Sequence, residues 1–303
     1  MEQQYKSDVY KSREGRHLLH NLYRKHLQAI HVPVRERMIE TYLGDTHVSL
    51  YGNPSGKPVL TFYGGYAINP LAVRPFTEHL PLDKIQLIVP DPPGQVGFSS
   101  ERKLSFPKHE YGEWASQVMD GLELQTTAVL GYSFGGSIAL QLCLWSVLRV
   151  ECLLLVLPSG IADASPHRIA KLVKPSTLKN ENQITDEVVK KALTKIVPFQ
   201  HDELIEAART LFAHAQFEKI KRWNVKKNEI RKLNVPVYLI AEKSDYLFPG
   251  KAVRKQARRI IPRLEGQRLL TLGSHCGLYK NEPDEELNEA YAAMSEFLLR
   301  QKD

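Results

Sequence analysis

Six short apolar runs, most of them separated by enough residues for a helix, constrain the fold of this chain most strongly. They are bounded by Gly, Pro or Asp and lie at residues 59–62, 85–89, 127–130, 153–157, 235–240 and 269–272. Strands that are apolar along their whole length are buried on both faces, and this is typical of a mostly parallel sheet alternating with helices. The sequence therefore predicts one large α/β unit with helices on both faces of the sheet.

Two further patterns precede these runs. Residues 12–30 place leucine and isoleucine at helical spacing, which indicates an amphipathic helix. Residues 38–43 and 46–51 alternate in polarity on either side of Gly44-Asp45, and this is typical of a β-hairpin. Together with the hairpin, the apolar runs predict an eight-stranded sheet that follows an N-terminal helical extension over residues 1–35.

The interval between the runs at 153–157 and 235–240 is too long for a single crossover helix. It contains no convincing strand, but helical patterns occur at 184–196 and 202–217. We therefore predict a helical lid over residues 158–232, inserted between core segments 36–157 and 233–303. Four aromatic residues of this segment either line a substrate pocket or form the core of the lid: Phe199, Phe212, Phe217 and Trp223.

The most informative motif is Gly131-x-Ser133-x-Gly135, which lies between the run at 127–130 and a helical pattern. A serine hydroxyl is a useful nucleophile only when it is exposed and a base takes its proton. A sharp strand-to-helix turn exposes the serine, and it needs the two glycines because side chains there would collide with the turn. This context favours a nucleophilic Ser133 over a glycine-rich turn that only packs a helix on a strand.

With this motif, the chain from about residue 38 to its end resembles the α/β-hydrolase superfamily. The resemblance implies the α/β-hydrolase fold with a helical lid, and a catalytic triad in the chain order serine, acid, histidine. Asp245 follows the run at 235–240 and His275 follows the run at 269–272, which are the places where the family keeps its acid and its base. Ser133 would attack, His275 would transfer the proton and Asp245 would orient the imidazole.

The acid position leaves an alternative. Asp163 follows the preceding strand, and some relatives place their acid there. The acid loop also departs from the family pattern, because Ala241-Glu242 stands where the family more often has a glycine.

The resemblance also implies an oxyanion hole built from two N–H groups. One belongs to Phe134, directly after the nucleophile, and the other to Gly65 in the loop after the run at 59–62. Tyr63 replaces the histidine that relatives carry in this loop, so Tyr66 is an alternative donor. A further family motif begins at Asp91, with one extra residue between its glycines, and we interpret it as a structural wall of the site.

Serine at the turn, in place of aspartate, argues against haloalkane dehalogenase and epoxide hydrolase chemistry. The motif and the lid are similar to those of carboxylesterases and of carbon–carbon hydrolases that act on meta-cleavage products. Our first hypothesis is a serine esterase that cleaves a carboxylic ester, lactone or thioester of a small to medium substrate through an acyl-enzyme. The alternatives are carbon–carbon bond hydrolysis, amidase or peptidase activity, and a ligand-sensing protein that does not turn over.

This chemistry needs no cofactor and no metal, and the sequence indicates neither. Residues 52–58 superficially resemble a phosphate loop, but Pro58 stands where that motif needs Ser or Thr. The three cysteines are too few and too scattered for a disulfide framework. The N-terminus lacks the apolar core of a signal peptide, and no stretch approaches the ~20 apolar residues of a membrane span. We expect a cytoplasmic enzyme without a membrane partner, and the oligomeric state stays open.

The formal net charge of +7 is concentrated in two stretches. Residues 219–232 and 251–263 each carry a net charge of +6, which leaves −5 for the remainder of the chain. No nucleic-acid-binding motif accompanies this charge, so a nucleic-acid partner is not expected. Two solvated helix faces are the simpler interpretation, and steering of an anionic substrate or an acidic partner is the alternative.

Overall fold

The computed structural model describes residues 5–65, 67–163, 166–178, 180–197, 201–217, 223–231, 233–280 and 282–300. Its eight strands are β1 Val34–Ile39, β2 Thr46–Gly52, β3 Lys57–Phe62, β4 Ile85–Pro90, β5 Thr127–Tyr132, β6 Val150–Val156, β7 Val237–Glu242 and β8 Leu264–Leu270. They pair in one sheet in the order β1-β2-β4-β3-β5-β6-β7-β8. β2 pairs antiparallel with β1 and β4, and all other pairs are parallel. The predicted mostly parallel sheet is confirmed.

Two strands differ most from the predicted bounds: the first hairpin strand, predicted at 38–43, lies at Val34–Ile39, and the last strand, predicted at 269–272, lies at Leu264–Leu270. The first hairpin strand ends at Ile39, five residues after its start, because Gly44 N donates to the Thr41 carbonyl (2.9 Å) and closes a turn there. The last strand begins at Leu264, ahead of the predicted apolar run at 269–272. β8 is an edge strand with polar side chains such as Glu265 and Gln267, so its first half carries no apolar run.

Helices cover both faces of the sheet. The helices are α1 Arg13–Gln28, α2 Asn69–His79, α3 Glu110–Gly121, α4 Gly135–Trp145, α5 Pro166–Leu172, α6 Asp186–Leu193, α7 Asp202–His214, α8 Lys227–Ile230, α9 Gly250–Ile260 and α10 Glu285–Leu299. One buried apolar cluster joins α3, α4 and α9 to the sheet, and a second joins α2 and α10 to it. No helix of the described residues is both long and apolar enough to cross a membrane.

The described part of the chain between β6 and β7 contains helices α5 to α8 and no strand. The predicted helical stretches at 184–196 and 202–217 contain α6 and α7. These helices share a small apolar core of their own, which includes Val189, Leu193 and Phe212. The division into a lid and two core segments stays a prediction.

The N-terminal segment is tied to α7. Tyr10 forms an isolated antiparallel bridge with Ala215, directly after that helix. The Lys11 ammonium group donates to the Phe212 carbonyl (2.8 Å), and Lys25 on α1 forms an ion pair with Glu206 (2.6 Å). Residues before the first strand therefore brace the helical segment against the rest of the fold.

Candidate active site

Ser133 lies at the turn between β5 and α4. Its φ angle is +54°, in the left-handed region that a non-glycine residue seldom adopts. A side chain at Gly135 would overlap the carbonyl oxygen of Phe62, and one at Gly131 would lie 2.8 Å from the Ala139 side chain. Both glycines of the motif are therefore required by close contacts, and the turn presents Ser133 at the carboxyl end of the sheet.

The structure brings the three predicted triad residues together. Ser133 Oγ lies 2.9 Å from His275 Nε2, and His275 Nδ1 lies 2.8 Å from Asp245 Oδ2. All three residues are buried, with relative exposures of 7% for Ser133, 5% for His275 and 4% for Asp245. The second carboxylate oxygen of Asp245 accepts N–H groups from Leu247 (2.7 Å) and Phe248 (3.0 Å). Each oxygen of the acid is therefore engaged, and one of them faces the imidazole.

The alternative acid, Asp163, lies elsewhere in the site. Its Oδ1 accepts the Gly160 N–H at 2.8 Å, within its own loop. Asp163 lines the cavity next to Ser133, but the carboxylate that contacts His275 belongs to Asp245.

Packing also holds the imidazole of His275. The Tyr132 ring is stacked with it at 6.0 Å between centroids and 9° between planes, and the Phe248 ring contacts it edge-on at 5.4 Å. The N–H of Cys276, the next residue, donates to the Ile196 carbonyl (2.8 Å). The histidine loop is thereby fixed both to the core and to the segment that precedes α7.

The loop after β3 lies directly beside the nucleophile. A Cβ atom at Gly64 would lie 3.5 Å from the Ser133 side chain, and one at Gly65 would lie 3.2 Å from the Phe134 ring. Phe134 is the N-cap residue of α4, and its N–H has no acceptor within the helix. Gly64 therefore lies beside Ser133 and Gly65 beside Phe134, and the alternative donor Tyr66 lies outside the described residues.

A buried aspartate anchors the start of this loop. Asp91 Oδ1 accepts hydrogen bonds from the Tyr63 hydroxyl (3.1 Å), the Tyr23 hydroxyl (3.1 Å) and the Asn69 amide (2.9 Å). Burial raises the pKa of Tyr63 well above its usual value, so its hydroxyl stays protonated and donates. Tyr63, in the place of the family histidine, thus links the loop after β3 to the end of β4 and to α1.

His47 joins the same cluster and makes it sensitive to pH. Its Nδ1 lies 3.1 Å from Asp91 Oδ2, and its Nε2 lies 2.7 Å from Glu36 Oε1. Burial by itself would lower the pKa of His47, but the hydrogen bonds and charges of Asp91 and Glu36 outweigh burial and raise it. A raised pKa in the folded state stabilises the fold below about pH 6.5, and this contribution is lost as the pH rises through the raised value.

We expect His47→Gln to lower the free energy of unfolding by about 1–3 kcal/mol at pH 6, because it removes the charged partner of the buried Asp91 carboxylate and one of the two charged partners of Glu36. The difference from wild type should shrink as the pH rises. Thermal unfolding from pH 5 to pH 9 measures it, with the exposed His17→Gln as the control. If the stability of wild type and of His47→Gln changed with pH in parallel, the raised pKa of His47 would be contradicted.

A cavity of about 680 Å³ borders Ser133 and His275. This volume lies in the ordinary range of small-molecule sites, which is about 300–1,000 Å³. Its apolar lining comes from the core and from the helical segment and includes Ile68, Leu71, Leu104, Phe106, Tyr111, Phe134, Leu193, Ile196, Val197, Leu204, Leu211, Phe212, Phe217 and Trp223. Three of the four aromatic residues in question therefore line the cavity, and Phe199 lies outside the described residues.

Charge is sparse in the described lining of the cavity. Besides His275, the Lys, Arg, Asp and Glu residues among the described lining are Lys103 and Asp163. Helix α9 buries Val253, Ala257 and Ile260 and exposes most of its basic side chains to solvent. None of the described residues of 251–263 lines the cavity, and of 219–232 only Trp223 does. Steering of an anionic substrate by these stretches stays a prediction.

Among the described residues, no group of three or more His, Cys, Asp or Glu side chains is arranged to hold a metal ion. Cys143, Cys152 and Cys276 are free thiols. Cys276 lines the cavity next to His275, and burial raises its pKa to about 12, so it is a neutral wall residue.

Comparison with known proteins gives the same fold. The model of the α/β hydrolase fold family matches residues 57–275. A search of curated protein sequences found no significant match.

Solved structures resemble the chain along most of its length. Carboxylesterase CesB from Bacillus subtilis is 17% identical with a TM-score of 0.78, covering 94% of this chain and 99% of that one. Naproxen esterase from Bacillus subtilis is 18% identical with a TM-score of 0.72, covering 91% and 94%. A meta-cleavage product hydrolase from Pseudomonas fluorescens IP01 is 16% identical with a TM-score of 0.62, covering 86% and 96%. At such low identity these similarities describe the fold alone.

Proposed function

The chain belongs to the α/β-hydrolase family, and from this membership we propose that it is a serine hydrolase that cleaves carboxylic esters through an acyl-enzyme. The observation that carries the proposal is the hydrogen-bonded series Ser133, His275 and Asp245 at the edge of an apolar cavity. A nucleophile, a base and an orienting acid in contact are the arrangement that acyl transfer requires.

The first half of the reaction forms the acyl-enzyme. Ser133 Oγ attacks the ester carbonyl carbon while His275 Nε2 takes its proton, and Asp245 supports the imidazolium that results. The N–H groups of Phe134 and Gly65 receive the oxyanion, and each such donor contributes about 10²- to 10³-fold to kcat. The tetrahedral intermediate then collapses, His275 returns the proton to the leaving alkoxide, and the alcohol departs.

The second half uses the same groups with water. His275 takes a proton from a water molecule as its oxygen attacks the acyl carbon bound to Ser133 Oγ. The second tetrahedral intermediate collapses, the proton returns to Ser133 Oγ, and the carboxylic acid leaves. Lactones and thioesters pass through the same steps, since only the leaving atom differs.

The cavity supports a substrate with a neutral, apolar group of small to medium size. Its described wall is predominantly apolar, and α7 supplies five apolar residues of it while α6 supplies Leu193. Carboxylesterases with the same fold lie among the similar structures, which supports an ester over an amide as the bond cleaved. Carbon–carbon bond hydrolysis is the second candidate because a meta-cleavage product hydrolase also has this fold.

We expect kcat/KM for p-nitrophenyl esters to rise by roughly fourfold per added methylene until the acyl chain fills the cavity, since each buried methylene contributes about 0.8 kcal/mol. Ala208→Phe, on the cavity wall of α7, should abolish this rise and spare the acetyl ester. The exposed Ala252→Phe on α9 is the matched control and should behave as wild type. An anilide or a vinylogous diketone hydrolysed faster than every ester would overturn the ester proposal.

A further inference from the structure

Glu242, the last residue of β7, is a carboxylic acid in an unusual place. It is fully buried, with 0% relative exposure, and it lies three residues before Asp245. Among the described residues, no Lys, Arg or His forms an ion pair with it.

The partners of the Glu242 carboxylate are backbone N–H groups from two different loops. Its Oε1 accepts the N–H of Ser244 at 2.8 Å, in the loop that carries Asp245. Its Oε2 accepts the N–H of Leu272 at 2.8 Å, in the loop that carries His275, and the N–H of Gly273 also bonds to the carboxylate. One side chain therefore joins the acid loop to the histidine loop.

These two loops leave neighbouring strands, and they also meet where Asp245 contacts His275 and where the Phe248 ring contacts the imidazole. The β7–β8 pairing ends at Glu242 and Leu270, and the Lys243 N–H donates to the Leu270 carbonyl (2.8 Å). Glu242 extends the connection between the loops past the end of the sheet through the N–H groups of Leu272 and Gly273.

Stability alone does not account for a carboxylate at this position. Burial raises the pKa of Glu242 above its usual value, although the N–H groups of Ser244, Leu272 and Gly273 act in the opposite direction. For an acid with a raised pKa, folded-state stability falls as the pH rises from about 4.5 through the raised value. Burial of Glu242 therefore costs stability as the pH rises through the raised value, and its hydrogen bonds to two loops are what the fold gains.

We propose that Glu242 is a positioning residue for the triad: its carboxylate sets the spacing of the two loops and so holds Asp245 against His275. This proposal rests on the proposed function, because the position of the triad is measured through hydrolysis. Glu242 contacts neither Ser133 nor the substrate cavity, so its effect on catalysis passes through Asp245 and His275.

Glu242→Gln is the test variant because it keeps the shape and one acceptor oxygen but turns an amide donor toward one of the loops. We expect kcat to fall by about 10- to 100-fold with little change in KM, as for a displacement of catalytic groups by roughly 1 Å. Glu286→Gln is the matched control. Glu286 accepts the Thr271 N–H (2.9 Å) in the same histidine loop, but it is only partly buried and, within the described residues, forms no hydrogen bond with the acid loop, so the kcat of this variant should stay within about twofold of wild type.

A double-mutant cycle distinguishes positioning from a general loss of structure. In an Asp245→Asn background the contact that Glu242 supports is already impaired, so Glu242→Gln should then change kcat by less than about twofold. In the Asp245-containing protein, Glu242→Gln should also broaden or shift the low-field proton resonance of the His275–Asp245 hydrogen bond. If Glu242→Gln does not fold, Glu242→Asp replaces it in the same double-mutant cycle, because aspartate keeps the carboxyl group on a side chain one methylene shorter.

Wild-type kcat in Glu242→Gln, or an equal fold-loss with and without Asp245, would overturn the positioning role. Failure of the proposed function looks different, since wild-type protein itself would then neither hydrolyse esters nor acylate Ser133. An active wild type with an inert Glu242 therefore refutes this inference alone.

Discussion

Ser133→Ala is expected to lower kcat for p-nitrophenyl ester hydrolysis by about 10⁵- to 10⁶-fold, since the covalent route is lost with the hydroxyl. The side-chain oxygen contacts His275 Nε2, and it makes no other side-chain hydrogen bond within the described part of the chain. The fold should therefore survive the change, and the melting temperature should stay close to that of wild type. Initial rates of p-nitrophenol release, corrected for the buffer reaction, measure the effect.

Ser137→Ala is the matched control for this prediction. Ser137 lies one helical turn further along α4, lines the same cavity and is hydrogen-bonded to Ser159 (2.6 Å). Its loss should change kcat by only a few-fold, because its hydroxyl does not reach the imidazole. Comparable losses in both variants would show that cavity shape, and not a nucleophile, sets the rate.

Asp245→Asn should lower kcat by about 10⁴-fold, because the amide cannot hold His275 in the tautomer that accepts the Ser133 proton. Asparagine keeps the oxygen that accepts the N–H groups of Leu247 and Phe248, so the loop should retain its shape. The effect should appear in kcat and much less in KM. Single-turnover acylation, followed by the p-nitrophenol burst, separates it from a defect in binding.

Asp163→Asn tests the alternative assignment of the acid. Asp163 lines the cavity and accepts the Gly160 N–H, whereas the carboxylate bonded to His275 belongs to Asp245. We expect a loss of no more than a few-fold in kcat. A larger loss from Asp163→Asn than from Asp245→Asn would show that Asp163, after β6, is the acid of the triad.

Local signals in the sequence were enough to predict the strand-to-helix turn that carries Ser133. The Gly131-x-Ser133-x-Gly135 pattern depends on contacts within a few residues, and the structure shows the same turn with Ser133 at a φ of +54°. The positions of Asp245 and His275 followed from strand ends combined with a family resemblance. Apolar runs located the cores of β3 to β7, but the first hairpin strand, predicted at 38–43, lies at Val34–Ile39, and the polar first half of the edge strand β8 was not predicted.

Contacts between distant parts of the chain could not be predicted in this way. The bonds from Tyr63 and Tyr23 to Asp91 depend on which strands are neighbours in the sheet and on where α1 packs. No local sequence pattern encodes that arrangement. The bridge between Tyr10 and Ala215 is of the same kind. For Glu242 a signal did exist, because an acid at the end of an otherwise apolar strand needs buried partners. Only the fold shows that those partners belong to the histidine loop.

The proposed serine hydrolase function depends most on Ser133 being an activated nucleophile, and covalent labelling measures this reactivity most directly. Intact-protein and peptide mass spectrometry after brief exposure to a fluorophosphonate should find one adduct per chain, on the peptide that contains Ser133. Ser133→Ala should carry no adduct at that peptide, and Asp245→Asn should label far more slowly than wild type. Wild-type protein that labels no faster than Ser133→Ala would contradict the proposal that Ser133 is an activated nucleophile.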